Sequence, residues 1–573
     1  MAVVWTYLRR YRWLCLSAVV FVLLEANFEL LLPGLMARMI DEGVRRGDLG
    51  CILRTGGWMA GAALAGIGCV LVRNLCSGTA SQRFGADLRR GLFAHILRLS
   101  EAGADRVGTA GLVSRMTGDT DQLAKSVNSA LRIGVKAPVL CVGSVLCAVR
   151  LNAGLSLAVL AVVLAVLGLI TRYMYLSGRR FSRVRTAMDR LNTVVQEFLR
   201  GIRLIKALGR EGDEDARFRA ANGELAEAGI RLQLLSAWFA PLITLTVNLG
   251  VAAVLWLAGA WEVEAGKVAA FVTYMTQMLS ALMTLIDVFK LLVRSDTSAK
   301  RVSEVFALPV EEDPERPEAP GGRGPALEFR DVRFAYPGGS GIPALDGIRF
   351  TLERGELLAV VGPTGAGKST LAWLCARLYD PQEGQVLLDG RDLRRLSLRR
   401  IRRQVAVAAQ RSDLFSGTIE KNLAMGDAAA GGERLHTALS LAQAEDFVAG
   451  LGGLAGTVEQ GGANLSGGQR QRISLARALV RESAVLVLDD CTGALDAVTE
   501  GRVLSGLGRR ADRAVLLITQ RVRTAALADR ILVLEDGRQA GLGTHAALLE
   551  TCPAYREIWN AQGAGEEGRH GGA

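Results

Sequence analysis

The sequence predicts a multi-domain fold in which six membrane-crossing helices precede an α/β domain. Half of the 573 residues are apolar, the mean hydropathy is +0.25 and only 22% of residues are charged. This composition is typical of a membrane protein that carries a soluble part. The apolar residues concentrate before residue 300, and a glycine-rich loop follows an apolar stretch at residue 361. A chain of this length is also expected to form more than one domain.

Six apolar stretches are long enough to cross a bilayer as helices. The first runs from Leu14 to Pro33, and no small-residue cleavage site follows it, so we predict a retained helix rather than a signal peptide. The other five lie near 56–72, 133–149, 153–171, 236–260 and 268–293.

Arginine residues predict the orientation of these spans. They precede the first span and follow the second and fourth, at Arg9, Arg10, Arg12, Arg83, Arg89, Arg90, Arg172, Arg179, Arg180, Arg183 and Arg185. Cytoplasmic loops carry such an excess, which places both termini in the cytoplasm. The same rule accounts for the net charge of +11 without nucleic acid, because the arginines flank apolar runs instead of interleaving with aromatic residues. Because no transit peptide precedes the first span, we expect a bacterial plasma membrane.

The domain boundaries follow from composition. Residues 308–325 are acidic and rich in Pro and Gly, which predicts a linker. We therefore expect a membrane domain at 1–307, an α/β domain at 326–560 and a flexible tail at 561–573. The charged connections on the inner side are predicted to be long helices, with breaks at 109–123 and 207–218 that contact the α/β domain.

The segment ELLAVVGPTGAGKSTLAWL at 356–374 predicts a strand, a phosphate-binding loop and a helix. The glycines let backbone N–H groups face phosphate oxygens, Lys368 reaches the terminal phosphates and Ser369 binds Mg²⁺. The expected nucleotide contacts are Gly362, Pro363, Thr364, Gly365, Ala366, Gly367, Lys368, Ser369 and Thr370.

Two further motifs follow in the α/β domain. Asp489 ends the apolar strand VLVL, where an acid beside Mg²⁺ is expected. The segment NLSGGQRQRISLARAL at 464–479 opens a helix with a serine and paired glycines, which is an ordinary N-cap by itself. Because this segment lies between the glycine-rich loop and the strand that ends at Asp489, we predict that its helix start binds a phosphate.

With these motifs in this order, nearly the whole chain resembles the ATP-binding cassette (ABC) exporters. The resemblance implies that Tyr336 stacks on adenine and that Gln410 contacts Mg²⁺. It also implies that two nucleotide domains enclose two ATP molecules. Each ATP is held by the Walker motifs of one chain and by the LSGGQ motif of the other, here Ser466, Gly467, Gly468 and Gln469. The chain has one such domain, so it needs a second subunit.

The sequence departs from the family at two catalytic positions. Asp490 stands where efficient members have the glutamate that activates water, and Gln520 stands where they have a histidine that touches the γ-phosphate. A base must come within about 2.6–3.2 Å of the attacking water, and aspartate is one methylene shorter than glutamate. We therefore expect a weak or inactive ATP site in this chain.

Two interpretations of that site are open. In the first, the chain pairs with a different half-transporter, and its intact LSGGQ motif completes the competent site on that partner. In the second, Asp490 and Gln520 work slowly in a symmetric homodimer.

Three classes of function are compatible with the motifs. The leading one is an ATP-driven exporter that moves lipophilic compounds or drugs out across the membrane. The second is a transporter of the same fold with a dedicated cargo: a peptide, a lipid, a thiol or a siderophore, the last of which would run inward. The third is an ATP-gated regulator of another membrane protein.

Ionisable residues inside predicted spans are candidates for cargo contact. Asp287 and Lys290 are spaced to form a pair on one helix face. Glu25 and Glu29 share a face and repel each other, which a cation between them would relieve. The alternative is that the two glutamates lie near outer water or bond a polar neighbour such as Asn248.

Overall fold

The computed structural model describes residues 2–314, 324–339, 341–493, 495–507 and 513–570. They form two compact units. Met1–Ala94 and Val113–Ala307 make up the membrane unit, while His95–Leu112 and Leu308–Ala573 make up the α/β unit. Residues 315–323 of the predicted linker and 571–573 of the predicted tail lie outside the described residues.

The described residues contain six helices that are long and apolar enough to cross a membrane, as predicted. In chain order the helices are α1 Val3–Val44, α2 Leu49–Ile96, the short α3 Glu101–Val107, α4 Thr109–Leu151, α5 Ala153–Leu208, α6 Glu211–Ala260 and α7 Ala265–Phe306. The six long helices have 42 to 56 residues. At a rise of 1.5 Å per residue they are about 60 Å long or more, roughly twice the thickness of a bilayer core. They therefore extend well beyond an apolar layer.

Apolar contacts hold the membrane unit together along helices α5, α6 and α7. Val159 and Val166 of α5 are buried in one cluster with Ile243 of α6 and with Phe271 and Met275 of α7. Other large apolar side chains on helices α2, α5 and α6 remain exposed, among them Leu64, Leu71, Leu157, Leu164, Leu249 and Trp256. Exposed apolar surface of this extent is typical of contact with lipid or with another subunit.

The predicted break at 109–123 is wrong. Helix α4 begins at Thr109, and the break lies earlier, on either side of α3. Ser100 caps the start of α3 by accepting a hydrogen bond from the Gly103 backbone N–H at 3.2 Å, and Gly108 ends it with a φ of +71°. The stretch 109–123 stays helical throughout, with a wider π-helical turn at Arg115–Asp119. The second break lies at Gly209, whose φ is +62°, inside the predicted 207–218.

Within the residues that the structure describes, the α/β unit contains twelve strands. They are β1 Leu327–Phe334, β2 Leu345–Leu352, β3 Leu357–Val361, β4 Glu383–Leu388, β5 Arg391–Asp392, β6 Val405–Ala408, β7 Gly417–Thr418, β8 Thr457–Val458, β9 Val485–Asp489, β10 Ala514–Ile518, β11 Arg530–Glu535 and β12 Arg538–Gly543. Strands β2-β1-β4-β5 form an antiparallel sheet, and β12-β11-β3-β10-β9-β6 form a sheet that is parallel except at β12.

After residue 326, the described part of the chain has ten α-helices beside these strands. They are α8 Lys368–Cys375, α9 Leu398–Gln404, α10 Ile419–Ala424, α11 Gly432–Leu441, α12 Glu445–Gly450, α13 Gly467–Val480, α14 Ala497–Leu507, α15 Val522–Ala525, α16 His545–Thr551 and α17 Pro553–His570. The side chains of β9 and β10 are buried on both faces of the parallel sheet, in separate apolar clusters. The fold class predicted from the sequence is confirmed.

The order of the parallel strands positions the site. Strands β3, β10, β9 and β6 are neighbours, and their carboxyl ends lie at one edge of the sheet. Ligands of open α/β sheets bind outside this edge. The glycine-rich loop follows β3, Gln520 follows β10, Asp490 follows β9 and Gln410 follows β6.

Candidate nucleotide-binding site

The glycine-rich loop joins β3 to α8 in a conformation that only glycine allows. Gly367 precedes the helix with a φ of +91°, and a Cβ atom at this position would clash with the Ala344 carbonyl oxygen. The Lys368 ammonium group donates hydrogen bonds to the carbonyl oxygens of Gly362 and Pro363, at 2.7 and 2.8 Å. The cation thus lies over the loop, where phosphate oxygens are expected. Burial lowers the pKa of Lys368, and the charges of Asp490 and Asp489 oppose that effect.

Ser369 and Asp489 lie next to each other across the loop. The Ser369 hydroxyl donates to Asp489 Oδ1 at 3.0 Å. Asp489 is buried, and burial raises its pKa. A hydroxyl and a carboxylate at this spacing offer the oxygen ligands that Mg²⁺ prefers.

Asp490 is held in place by two glutamine side chains. Its Oδ2 atom accepts hydrogen bonds from Gln520 Nε2 at 3.1 Å and from Gln410 Nε2 at 3.4 Å. Its backbone lies in the left-handed region, with a φ of +47°, and its N–H donates to the Ile518 carbonyl oxygen at 2.9 Å. Burial raises the pKa of Asp490, whereas the hydrogen bond from Gln410 and the charge of Lys368 act in the opposite direction. The two residues that depart from the family pattern therefore contact each other.

Tyr336 lies beside the segment that contains the glycine-rich loop. Its hydroxyl is 3.0 Å from the Thr370 hydroxyl, and its ring packs edge-on against Phe334 and Tyr379. The residue is 39% exposed, so part of its side chain is available to a flat ligand such as a nucleobase.

The LSGGQ motif forms the start of helix α13. The Ser466 hydroxyl accepts from the Gln469 backbone N–H at 3.3 Å, and the Ser466 N–H donates to Gln469 Oε1 at 2.9 Å. This reciprocal capping box fixes the first turn, where helix N–H groups are free for an anion. Gly467 and Gly468 keep this turn free of large side chains.

One group of predicted residues is brought together and another lies apart. The sheet edge collects Gly362 to Thr370, Gln410, Asp489, Asp490 and Gln520. Within the described chain, no hydrogen bond joins Ser466 or Gln469 to the glycine-rich loop.

Sequence analysis missed Arg521. This side chain donates to the carbonyl oxygens of Leu495 and Gly493, at 3.0 and 2.8 Å, and pairs with buried Glu500 at 2.9 Å. It ties the segment after Asp490 to the end of β10. No spacing rule marks it, because its partners come from separate parts of the chain.

The residues present fit a nucleotide with Mg²⁺. The loop provides backbone N–H groups beside a buried cation, and Ser369 and Asp489 provide the donor set for a small divalent ion.

Comparison with known proteins identifies the family. A model of the ABC transporter transmembrane region matches residues 14–282, and a model of the ABC transporter matches residues 345–493. The chain belongs to the ABC transporters. In this family, ATP hydrolysis by the nucleotide-binding domain drives transport, so the presence of that domain implies ATP binding. The exporters of the family are multi-pass membrane proteins, and their half-transporters commonly dimerise.

Relatives extend over almost the full chain. An uncharacterized ABC transporter ATP-binding protein of Mycobacterium tuberculosis is 35% identical over 97% of both chains. The ATP-dependent lipid A-core flippase of Pectobacterium atrosepticum is 32% identical over 95% of this chain and 94% of its own. A bacterial Atm1-family ABC exporter with ATP bound matches with a TM-score of 0.79 and 27% identity, over 97% of this chain and 98% of that one. The ABC exporter architecture is thereby confirmed.

The charged residues predicted inside the spans form two kinds of contact in the membrane unit. Lys290 Nζ donates to Asp287 Oδ1 at 3.1 Å, as expected, and both side chains are exposed. The cation between Glu25 and Glu29 is Lys136, which lies 2.7 and 2.9 Å from their carboxylate oxygens. Asn248 is exposed on α6 and is not a partner of either glutamate in the described structure.

Proposed function

We propose that this chain is one subunit of a heterodimeric ABC exporter that moves lipophilic compounds or drugs out across a bacterial plasma membrane. Its Walker motifs form a degenerate ATP site, and its LSGGQ motif completes the competent site of a different half-transporter. Both termini lie in the cytoplasm. The observation that carries this proposal is the pair of hydrogen bonds from Gln410 and Gln520 to the Asp490 carboxylate.

The geometry at Asp490 supports a weak site. The pKa of Asp490 is raised, so a loss of basicity is not what disables it. The length of the side chain limits the site instead, because an aspartate carboxylate lies roughly 1–1.5 Å short of the position that a glutamate carboxylate occupies. Gln520 also holds the carboxylate, and a glutamine amide cannot take up the proton that a histidine could. Loss of an oriented base slows such chemistry by roughly 10²–10⁴-fold.

The other motifs retain what nucleotide binding needs. Lys368, Ser369 and Asp489 would hold the phosphates and Mg²⁺, Tyr336 would stack on adenine and Gln410 would reach the metal. Ser466 and Gln469 keep an intact capping box. Hydrolysis of ATP at the competent site supplies the free energy for transport. ATP that stays bound at the degenerate site links the two nucleotide domains. The departures from the family pattern are confined to Asp490 and Gln520. This favours a dimer with one weak and one competent ATP site over a general loss of function in the nucleotide domain.

A lipid is the second candidate cargo. The relative at 32% identity is named an ATP-dependent lipid A-core flippase, and its match covers nearly the whole of both chains. Large exposed apolar side chains on the long helices are also compatible with a cargo that enters from the bilayer.

The composition of the purified assembly tests the proposal. The tagged chain is extracted from its own host's membrane, and the intact complex is weighed by native mass spectrometry. We expect one copy of this chain with one copy of a different ABC half-transporter, whose sequence has glutamate after its Walker aspartate, a histidine in its switch loop and a weakened signature motif. Two copies of this chain with full ATPase activity would overturn the proposal.

A further inference from the structure

The membrane unit contains a cavity of about 530 Å³ between helices α1, α2, α4 and α7. This volume suits a drug-sized molecule or the head group of a lipid. Its walls carry charged side chains from three of these helices: Glu25, Glu29, Arg73, Arg132 and Lys136. Charged groups beside apolar spans are costly and are generally retained for function.

The charges in this cavity do not cancel. Two carboxylates face three cations, which leaves one positive charge. Glu25 and Arg73 form an ion pair in which both side chains are more than nine-tenths buried. Lys136 lies 2.7 Å from Glu25 Oε1 and 2.9 Å from Glu29 Oε2. The two acids therefore neutralise Arg73 and Lys136.

Arg132 carries the remaining charge. Within the described chain it makes no ion pair or hydrogen bond, and its Nε atom is buried without a partner. It lies in the π-helical segment Ala130–Gly134 of α4, and such segments are frequent at functional sites. Its guanidinium offers a planar set of donors that matches carboxylates and phosphates. An anion relieves this unpaired charge, whereas a cation adds to it.

The wall formed by α7 offers hydrogen-bond acceptors. Gln277 donates through Nε2 to the Glu29 carbonyl oxygen at 3.3 Å, and its Oε1 atom is buried without a partner in the described structure. The hydroxyls of Thr273, Thr276 and Thr284 donate to carbonyl oxygens four residues earlier in their own helix. Their lone pairs and Gln277 Oε1 thus remain for a ligand that carries a donor. A buried acceptor without a partner is destabilising, and such a ligand removes that cost.

We propose that this cavity binds the head group of an anionic amphiphile that carries a hydroxyl or N–H donor beside its acidic group. Arg132 faces the acid, and Gln277 accepts from the donor. The inference rests on the proposed export function and names the class of cargo, which is anionic rather than cationic. A glycerol phosphodiester lipid and a hydroxylated fatty acid share this chemistry.

Equilibrium binding to the nucleotide-free complex tests the assignment. The full complex is placed in phosphatidylcholine nanodiscs and titrated with three fluorescent probes: phosphatidylglycerol, a hydroxylated fatty acid and a lipophilic cation. We expect at least one anionic probe to bind and the cation not to bind. The preferred anion identifies the source of the head group. We expect Arg132→Gln to weaken anion binding about tenfold or more and Arg132→Lys to retain most of it.

Two matched variants separate recognition from general effects. Lys290→Gln removes a positive charge from the same unit outside the cavity and is expected to leave binding unchanged. Gln277→Leu is expected to weaken binding of a hydroxylated fatty acid several-fold, while the parent acid without the hydroxyl is unaffected. Thermal unfolding establishes that each variant is folded.

Three results would overturn the inference: tighter binding of the cation than of either anion, unchanged anion binding in folded Arg132→Gln, or no binding of either anion. Because the titration contains no ATP, it is independent of the degenerate site and of the partner's identity. A complex that shows the proposed asymmetry in ATP turnover but binds neither anion overturns this inference alone.

Discussion

In the α/β unit, the polar groups of the site follow four neighbouring strands and meet at one edge of a sheet. In the membrane unit, the charged groups project from three long helices into a cavity. The first site pairs its polar side chains with one another and with the loop backbone, and their residue types fit a nucleotide with Mg²⁺. The second neutralises most of its charge within the protein, so the one charge left over indicates the sign of its ligand.

The strongest way to break this comparison is to remove the central acid of the membrane cavity. Glu25→Gln leaves Arg73 buried without its counter-ion, and loss of one partner of a buried pair costs about 3–5 kcal/mol. We expect a marked decrease in the melting temperature of the detergent-solubilised complex. Glu29→Gln is the matched control, because its side chain is 39% exposed and Lys136 keeps Glu25 as a partner. Equal losses in the two variants would show that the cavity is not organised around Glu25.

The loop before α8 provides the corresponding test in the α/β unit. Gly367→Val places a side chain against the Ala344 carbonyl oxygen at a φ of +91°. We expect this chain's own site to bind ATP at least about 100-fold more weakly, which corresponds to about 2.7 kcal/mol. Binding of a non-hydrolysable ATP analogue then decreases from two per complex to one. Gly501→Ala, which has open space around its Cβ, is expected to keep both sites.

A smaller effect is expected at a contact inside the α/β unit. The Tyr379 hydroxyl donates to Asp105 Oδ2 of helix α3 at 2.6 Å. Tyr379→Phe removes a hydrogen bond to a charged group, worth about 1.5–3 kcal/mol. Hydrogen exchange across Glu101–Val107 is expected to accelerate by tenfold or more.

The same bond should be insensitive to pH. Burial and the bond to Asp105 raise the pKa of Tyr379, so the phenol stays protonated and the bond is lost only above its ordinary pKa near 10. Exchange across α3 in the wild type should therefore show no added opening between pH 6 and 9 once the intrinsic rate is corrected. Wild-type exchange as fast as that of Tyr379→Phe would contradict this role.

The smallest change in stability is expected for the exposed ion pair of the membrane unit, in contrast to its buried pair. Asp287 and Lys290 form an exposed pair, and such pairs contribute less than about 1 kcal/mol. The double variant Asp287→Asn with Lys290→Gln is expected to unfold within about 2 °C of the wild type. A large destabilisation would assign this pair a role that its exposure does not suggest.

The sequence alone predicts most of the nucleotide site. Gly362 to Ser369 are contiguous, and Asp489, Asp490, Gln410 and Gln520 each follow an apolar strand, so motif spacing identifies them. The mutual contact of Asp490 with both glutamines is not predictable, because it depends on side-chain orientation at three strand ends. The helix break predicted at 109–123 lies instead around Glu101–Val107, because the side-chain cap of Ser100 and the positive φ of Gly108 set the helix ends there.

The membrane cavity was predictable only in part. Lys136 lies inside the predicted span 133–149, but sequence analysis did not name it as a partner for Glu25 and Glu29. Arg73 and Arg132 lie one residue outside the predicted spans, so hydropathy assigns them to the span ends. Hydropathy also does not specify how a helix is rotated about its axis, and that rotation decides which charges meet.

The most direct measurement of the central claim is ATP turnover by the purified complex with wild-type chain, Asp490→Asn or Ser466→Ala. Thr544→Ala removes a helix cap elsewhere in the α/β unit and serves as the control for Ser466→Ala. If this chain's own site is degenerate and its signature motif completes the partner's site, Asp490→Asn leaves turnover within about twofold, whereas Ser466→Ala lowers it about 100-fold or more. If Asp490→Asn abolishes turnover in a folded complex, the short acid is the working base and the account is wrong.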